Sequence, residues 1–228
     1  PQHYIVGFMG FGAIFIAYVM RVCLSEVLTQ LVIQRNVTSS RATAEGVCPG
    51  DLPPPKDGGI FDWSQTMQGW IVGAFYIGYC TTHIPGGLLS DFYGPKWVLL
   101  LGILSTAIFT VTSSWVIIYF GPIGLFVFRV VVGMGEGTTF PALAGLIVSW
   151  IPIKERGTFG AFIMSGGIMG TVIGNTLSGI ILHYISWPWV FYTFGGMGIL
   201  YFLLGVSILV IFLVKKMFCL KYNTFNIC

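Results

Sequence analysis

Residues 115–150 read WVIIYFGPIGLFVFRVVVGMGEGTTFPALAGLIVSW, 36 positions in which Arg129 and Glu136 are the only charged residues. An ionisable side chain at membrane depth costs about 2.5–3.5 kcal/mol even on the gentlest scales, so it usually faces a bundle interior or a watery path. The two residues are seven apart, roughly two helical turns. On a helix they share one face, about 10 Å apart along the axis. The pattern is that of a charged lining for a solute route.

Working outward, composition supports a membrane protein. Of 228 residues, 55% are hydrophobic and 8% charged, against roughly 25% charged in a soluble domain. The mean hydropathy is +0.86. Soluble globular and disordered classes both fit poorly, and a multi-spanning chain fits well. The 31 glycines suit closely packed transmembrane helices. A net charge of +3 with no basic run gives no reason to expect nucleic acid. The five cysteines, Cys23, Cys48, Cys80, Cys219 and Cys228, are scattered, and their spacing points to unpaired thiols.

Six apolar spans can be drawn, at about 4–25, 67–89, 96–115, 117–148, 158–183 and 189–214. A polar loop, about 26–66, separates the first two and contains Pro49, Pro53, Pro54 and Pro55. It also holds Asn36-Val37-Thr38, a glycosylation sequon that requires a luminal or extracellular position for Asn36. Lys96, Lys154, Arg156, Lys215, Lys216 and Lys221 fall on the opposite side. The positive-inside rule then places both termini in the cytosol.

Several polar residues within the spans carry candidate chemistry. Arg129 offers a planar fork of donors that matches a carboxylate or phosphate, so a mid-membrane position suggests an anionic solute. Arg21 near the end of span one admits two readings, an anion ligand or an interfacial arginine that snorkels to the surface. Glu136 is the natural proton carrier: burial favours its neutral form, and a neighbouring guanidinium favours the charged one. The bland alternative is a static Arg129–Glu136 ion pair. His83 suits proton exchange, or only packing. Asn175 suits either a polar solute or a neighbouring helix. Gly166, Gly170 and Gly174 form a stripe best read as helix packing, whereas Gly133 and Gly137 also leave room beside the charged pair. Metal spacing, nucleophile–base arrangements and phosphate loops do not appear, so no enzyme is expected.

Gly87-Leu88-Leu89-Ser90-Asp91-Phe92-Tyr93-Gly94-Pro95-Lys96 resembles the loop between helices two and three of the major facilitator superfamily. The resemblance implies that Gly87, Asp91, Gly94 and Lys96 form a conformational latch on the cytosolic side. Phe128-Arg129, Gly135-Glu136-Gly137-Thr138-Thr139-Phe140-Pro141-Ala142, Trp150-Ile151-Pro152 and Glu155-Arg156 resemble the anion:cation symporter family within it. That family includes sialin, vesicular glutamate transporters and sodium–phosphate cotransporters. Gly78-Tyr79, Ile84-Pro85-Gly86-Gly87 and Arg21-Val22-Cys23-Leu24-Ser25 fit the same pattern. The family usually has Gln at the place of His83 and Asn at that of Cys23. By resemblance, Arg21 and Arg129 are substrate-binding positions, and Glu136 is a proton-coupling one.

The expectation is an all-α membrane protein, with residues 1–214 forming a six-helix half (a 3+3 inverted repeat) of a twelve-helix transporter. Residues 215–228 are expected as a cytosolic tail unlike the family's linker. The implied activity is secondary transport of an organic anion or inorganic phosphate, coupled to H+ or Na+ and without a cofactor. Arg21, Arg129 and Asn175 would meet the substrate, with Glu136 and His83 serving proton coupling. The implied partners are a small anionic solute, the lipid bilayer, and a C-terminal six-helix half or another transporter chain. The implied location is the plasma membrane or a lysosomal or vesicular membrane. The alternative is a truncated, non-transporting membrane protein that associates with a full-length relative.

Overall fold

The computed structural model describes residues 2–31 and 63–222, and these are nearly all helical. The sequon at Asn36, most of the polar loop, and Cys48 and Cys228 lie outside the described residues. Six helical elements follow in order: α1 (Gln2–Leu31), α2 (Gln65–Tyr93), α3 (Pro95–Gly137), α4 (Thr139–Trp150), α5 (Arg156–Tyr184) and α6 (Trp187–Tyr222). Among the described residues, four stretches are long and apolar enough to cross a membrane: His3–Leu28, Pro95–Trp150, Arg156–Tyr184 and Trp187–Ile208.

Local signals set the helix ends. The Ser64 hydroxyl accepts a 3.2 Å hydrogen bond from the Met67 N–H and caps α2. Gly94 separates α2 from α3 with φ +89°, a left-handed conformation that favours glycine, and Pro95 opens α3. Arg156 closes α4 from outside: its Nε and Nη2 donate to the carbonyls of Ile151 (3.1 Å) and Val148 (2.7 Å). These carbonyls have no partner within the helix.

The 43 residues of α3 are two helices joined across Gly121, whose φ of 62° and ψ of −154° are non-helical. Pro122 follows and lacks the N–H that would continue the ladder. The chain folds back here, because Phe109 meets Phe128 with ring centres 5.3 Å apart. Ser105 likewise faces Gly135. Reading hydropathy alone put this break near residue 116, five residues early, because the apolar run continues through the turn.

Two other boundaries differ from the sequence reading. Helix α1 continues to Leu31, into the start of the expected loop, and α6 continues to Tyr222, through most of the expected tail. Neither segment contains a proline or glycine to stop it.

The most extensive packing joins α2 to α3, α1 to α5, and α3 to α6. Side chains fully buried at these contacts include Ile14, Leu24, Ile117, Leu125, Ile163, Phe191 and Phe194. Large apolar groups such as Trp70, Ile118, Ile168 and Leu203 also face outward, as expected of helices that are apolar all round. Several buried hydroxyls are satisfied within their own helix, whereas those of Ser90, Thr139 and Ser178 have no partner among the described residues. Thr106, Thr110 and Ser113 donate to carbonyls three or four residues earlier, which removes their cost in an apolar bundle.

The glycine stripe of α5 works as packing. A Cβ at Gly166 or Gly170 would stand 2.7 or 2.5 Å from the carbonyl oxygens of Phe11 and Phe15 on α1. Gly78 of α2 and Gly133 of α3 form a reciprocal contact, in which a Cβ on either would strike a carbonyl oxygen of the other helix, Val130 or Phe75. This close approach holds α2 against the turn of α3 that carries Arg129 and Glu136.

Candidate functional site

Three charged side chains converge where α1 meets the second half of α3. Arg21 of α1 donates from Nε (3.0 Å) and Nη2 (2.5 Å) to one oxygen, Oε1, of Glu136. The Glu136 side chain is 3% exposed and that of Arg21 is 18% exposed. Arg129, two turns before Glu136 on the same helix, is buried. It lies beside the Cys23 thiol and within electrostatic reach of Glu136. Its Nε has no hydrogen-bond partner among the described residues. The Cys23 thiol donates to the carbonyl of Met20 at 3.0 Å.

Aromatic rings enclose the Arg21 guanidinium. Its central carbon lies 4.6 Å from the Tyr18 ring centre, 4.9 Å from that of Phe75 and 5.3 Å from that of Tyr79. Each ring face is negative, so the cage favours a cation. Tyr18 is one turn before Arg21 on α1, while Phe75 and Tyr79 are one turn apart on α2. The Gly78–Gly133 contact brings that stretch of α2 close enough to reach α1.

Physical cost separates the two arginines. The Arg21–Glu136 pair offsets desolvation by direct hydrogen bonds and cation–π contact. Arg129 has no such carboxylate pair, its Nε is without a partner among the described residues, and an unpaired buried donor costs about 1–3 kcal/mol. Two guanidiniums and one carboxylate leave one positive charge in excess, held inside the bundle. Such a charge is retained at a stability cost, which marks the cluster as a candidate functional site.

The sequence-predicted residues divide into three groups. Arg21, Arg129 and Glu136 come together. His83 is exposed on α2, one turn beyond Tyr79, with ring centres 5.4 Å apart, and it does not touch the ion pair. Asn175 is exposed on α5, and no hydrogen bond among the described residues links it to the cluster. Gly87, Asp91, Gly94 and Lys96 sit apart, at the α2–α3 junction, with Asp91 exposed and Lys96 Nζ 3.7 Å from the Trp150 ring centre. The ion pair considered from sequence joined Arg129 to Glu136, whereas the partner of Glu136 is Arg21, 115 residues away. The aromatic cage was also missed. Its signal was available in the i, i+4 run Phe75, Tyr79, His83 and in Tyr18 three residues before Arg21.

Comparison with known proteins gives the family. Residues 4–216 match the family model for the Major Facilitator Superfamily. The chain is 40% identical to human sialin over 208 residues, covering 89% of this chain and 41% of sialin. It is 36% identical to sheep sialin over 209 residues, covering 90% of this chain and 42% of that protein. A chloroplastic sodium-dependent phosphate transport protein of Arabidopsis thaliana is 35% identical over 147 residues, covering 64% of this chain and 28% of the relative. The chain thus spans about two fifths of the length of the sialins it matches. Its match to sialin and phosphate-cotransporter relatives lies in their N-terminal half. The chain belongs to the Major Facilitator Superfamily.

Proposed function

We propose that this chain forms the anion-binding half of a secondary transporter for an organic anion or inorganic phosphate, coupled to H+ or Na+. The observation that carries the reading is the caged Arg21–Glu136 pair beside a buried Arg129 whose Nε is unpaired. Arg129 supplies a standing donor for an incoming carboxylate or phosphate oxygen. Arg21 is held by Glu136 until a proton neutralises that carboxyl, after which its guanidinium is free for the anion. Proton and anion then favour each other's binding, a reciprocal coupling that suits symport.

In this reading the chain crosses the membrane six times, counted as α1, α2, the two arms of α3 with α4 extending the second, α5 and α6. In this arrangement both termini and the Lys96 end face the cytosol, and Asn36 faces the lumen or exterior. Rocking of this bundle against a second six-helix half would alternate access to the site. His83, one turn from Tyr79, lines the approach to the cage. Asn175 would reach the substrate only once that second half encloses it.

Flux in proteoliposomes tests the proposal, using the chain together with a matching C-terminal half and an imposed pH or Na+ gradient. Gradient-driven uptake of a carboxylate or phosphate is expected. Robust uptake by the 228-residue chain alone would contradict the two-half arrangement. Tight association with a full-length relative and no flux in any combination would favour the non-transporting alternative.

A further inference from the structure

We propose that Cys23 is a positioning residue for anion binding: it backs the Arg129 guanidinium from α1 without satisfying it, and so sets how tightly the site takes a carboxylate or phosphate oxygen. The inference rests on the transport reading above and adds to it the residue that tunes affinity.

The arrangement is buried, and its hydrogen bonds are already committed. Cys23 is fully buried and Arg129 is 5% exposed. Two groups act favourably on the guanidinium, the Cys23 thiol and the Glu136 carboxylate. The carboxylate is engaged elsewhere, since its Oε1 accepts both hydrogen bonds from Arg21. The thiol hydrogen is engaged as well, because it donates to the Met20 carbonyl at 3.0 Å. What Cys23 can offer Arg129 is therefore the acceptor side of its sulfur, and sulfur accepts weakly. The Arg129 Nε stays without a partner among the described residues.

Acceptor strength decides what an anion gains on arrival. A thiol fills space as a small apolar group does, so it packs against the guanidinium while competing little for its N–H donors. An oxygen at the same place would accept a charge-assisted hydrogen bond, about twice as strong as a neutral one. The anion would then displace that bond before making its own, and would bind less tightly. A cysteine present only for packing would show no link between the acceptor at position 23 and anion affinity.

Two substitutions move the acceptor in opposite directions. Cys23→Ser exchanges sulfur for oxygen and retains a hydrogen for the Met20 carbonyl, whereas Cys23→Ala removes the acceptor. Uptake kinetics in proteoliposomes, with the chain, its matching C-terminal half, and inorganic phosphate or gluconate as the probe, give the first readout. Cys23→Ser should raise KM about threefold or more and leave the maximal rate within about twofold, the pattern of lost binding without lost turnover. The rise in melting temperature that the same anion produces in detergent gives the second readout. That rise should shrink in Cys23→Ser and be at least as large in Cys23→Ala as in the unaltered protein, although Cys23→Ala lowers the starting value by leaving a cavity. Cys80→Ser makes the same atom exchange at the exposed thiol of α2 and should not change KM. An unchanged KM in Cys23→Ser overturns the proposal and leaves the transport reading standing. So does a rise that shrinks equally in both Cys23 variants, which would mean disturbed packing, or a KM moved as far by Cys80→Ser. If the unaltered protein neither carries nor is stabilised by either probe, the transport reading fails and this inference with it.

Discussion

Glu136 reaches across to Arg21 on α1 and leaves Arg129, two turns earlier on its own helix, with an unpaired Nε. One carboxylate therefore satisfies the arginine farther away in sequence. Geometry explains the choice. Residues seven apart on a helix lie about 10 Å apart along the axis, whereas α1 presents Arg21 directly opposite Glu136.

Glu136→Gln mimics the protonated carboxyl and weakens the hold on Arg21. In proteoliposomes containing the chain and its matching C-terminal half, pH-driven uptake is expected to fall at least tenfold. Anion exchange without a gradient should stay within threefold. If neither rate changes, Glu136 has only a structural part.

Arg129→Met replaces an incompletely paired buried cation with an apolar chain of similar length. Removing the unpaired donor should stabilise the fold by about 1–3 kcal/mol while uptake is lost. Arg129→Lys should also lose uptake, because an ammonium cannot make a two-pronged contact with the anion. A melting temperature lowered by Arg129→Met would show instead that the guanidinium holds the bundle together.

Gly133→Ala tests the contact that presses α2 onto α3. Its Cβ would strike the Phe75 carbonyl oxygen, and overpacking of this kind costs about 1–3 kcal/mol. Gly73→Ala, also in a helix but with nothing within 4 Å of the new carbon, should be neutral or slightly stabilising. Thermal unfolding of both in the same detergent gives the comparison, and equal melting points would refute the close approach.

Gly121→Ala places a side chain where φ is 62° and ψ is −154°. That region is open essentially to glycine alone, and the strain is about 1–3 kcal/mol. Loss of stability without loss of helical content is expected by circular dichroism. An unchanged melting point would mean that the two arms of α3 join in another conformation.

Much of this was legible beforehand, for stated reasons. Charge scarcity and long apolar runs revealed a helical membrane chain, and two charges inside such a run marked Arg129 and Glu136. What remained hidden depends on distance in space. The Arg21–Glu136 pair spans 115 residues, and no local pattern encodes which helix will stand opposite which. The Gly121 turn was carried by the Gly121-Pro122 pair, a turn signal that a reading of hydropathy passes over because the run stays apolar on both sides. The cage rings of Tyr18, Phe75 and Tyr79 read as ordinary apolar lining until the glycine contact sets them around one guanidinium.

The packing pattern gives the ion pair a mechanical meaning as well. Helix α1 leans chiefly on α5, and α2 on α3, with α6 touching both groups. Arg21 and Glu136 thus act as a rivet through the seam between two separately packed blocks. In the transport reading proposed above, a hydrogen ion taken up by Glu136 would loosen that rivet, so the stiffness of the bundle at mid-height would follow the proton activity that the carboxyl meets.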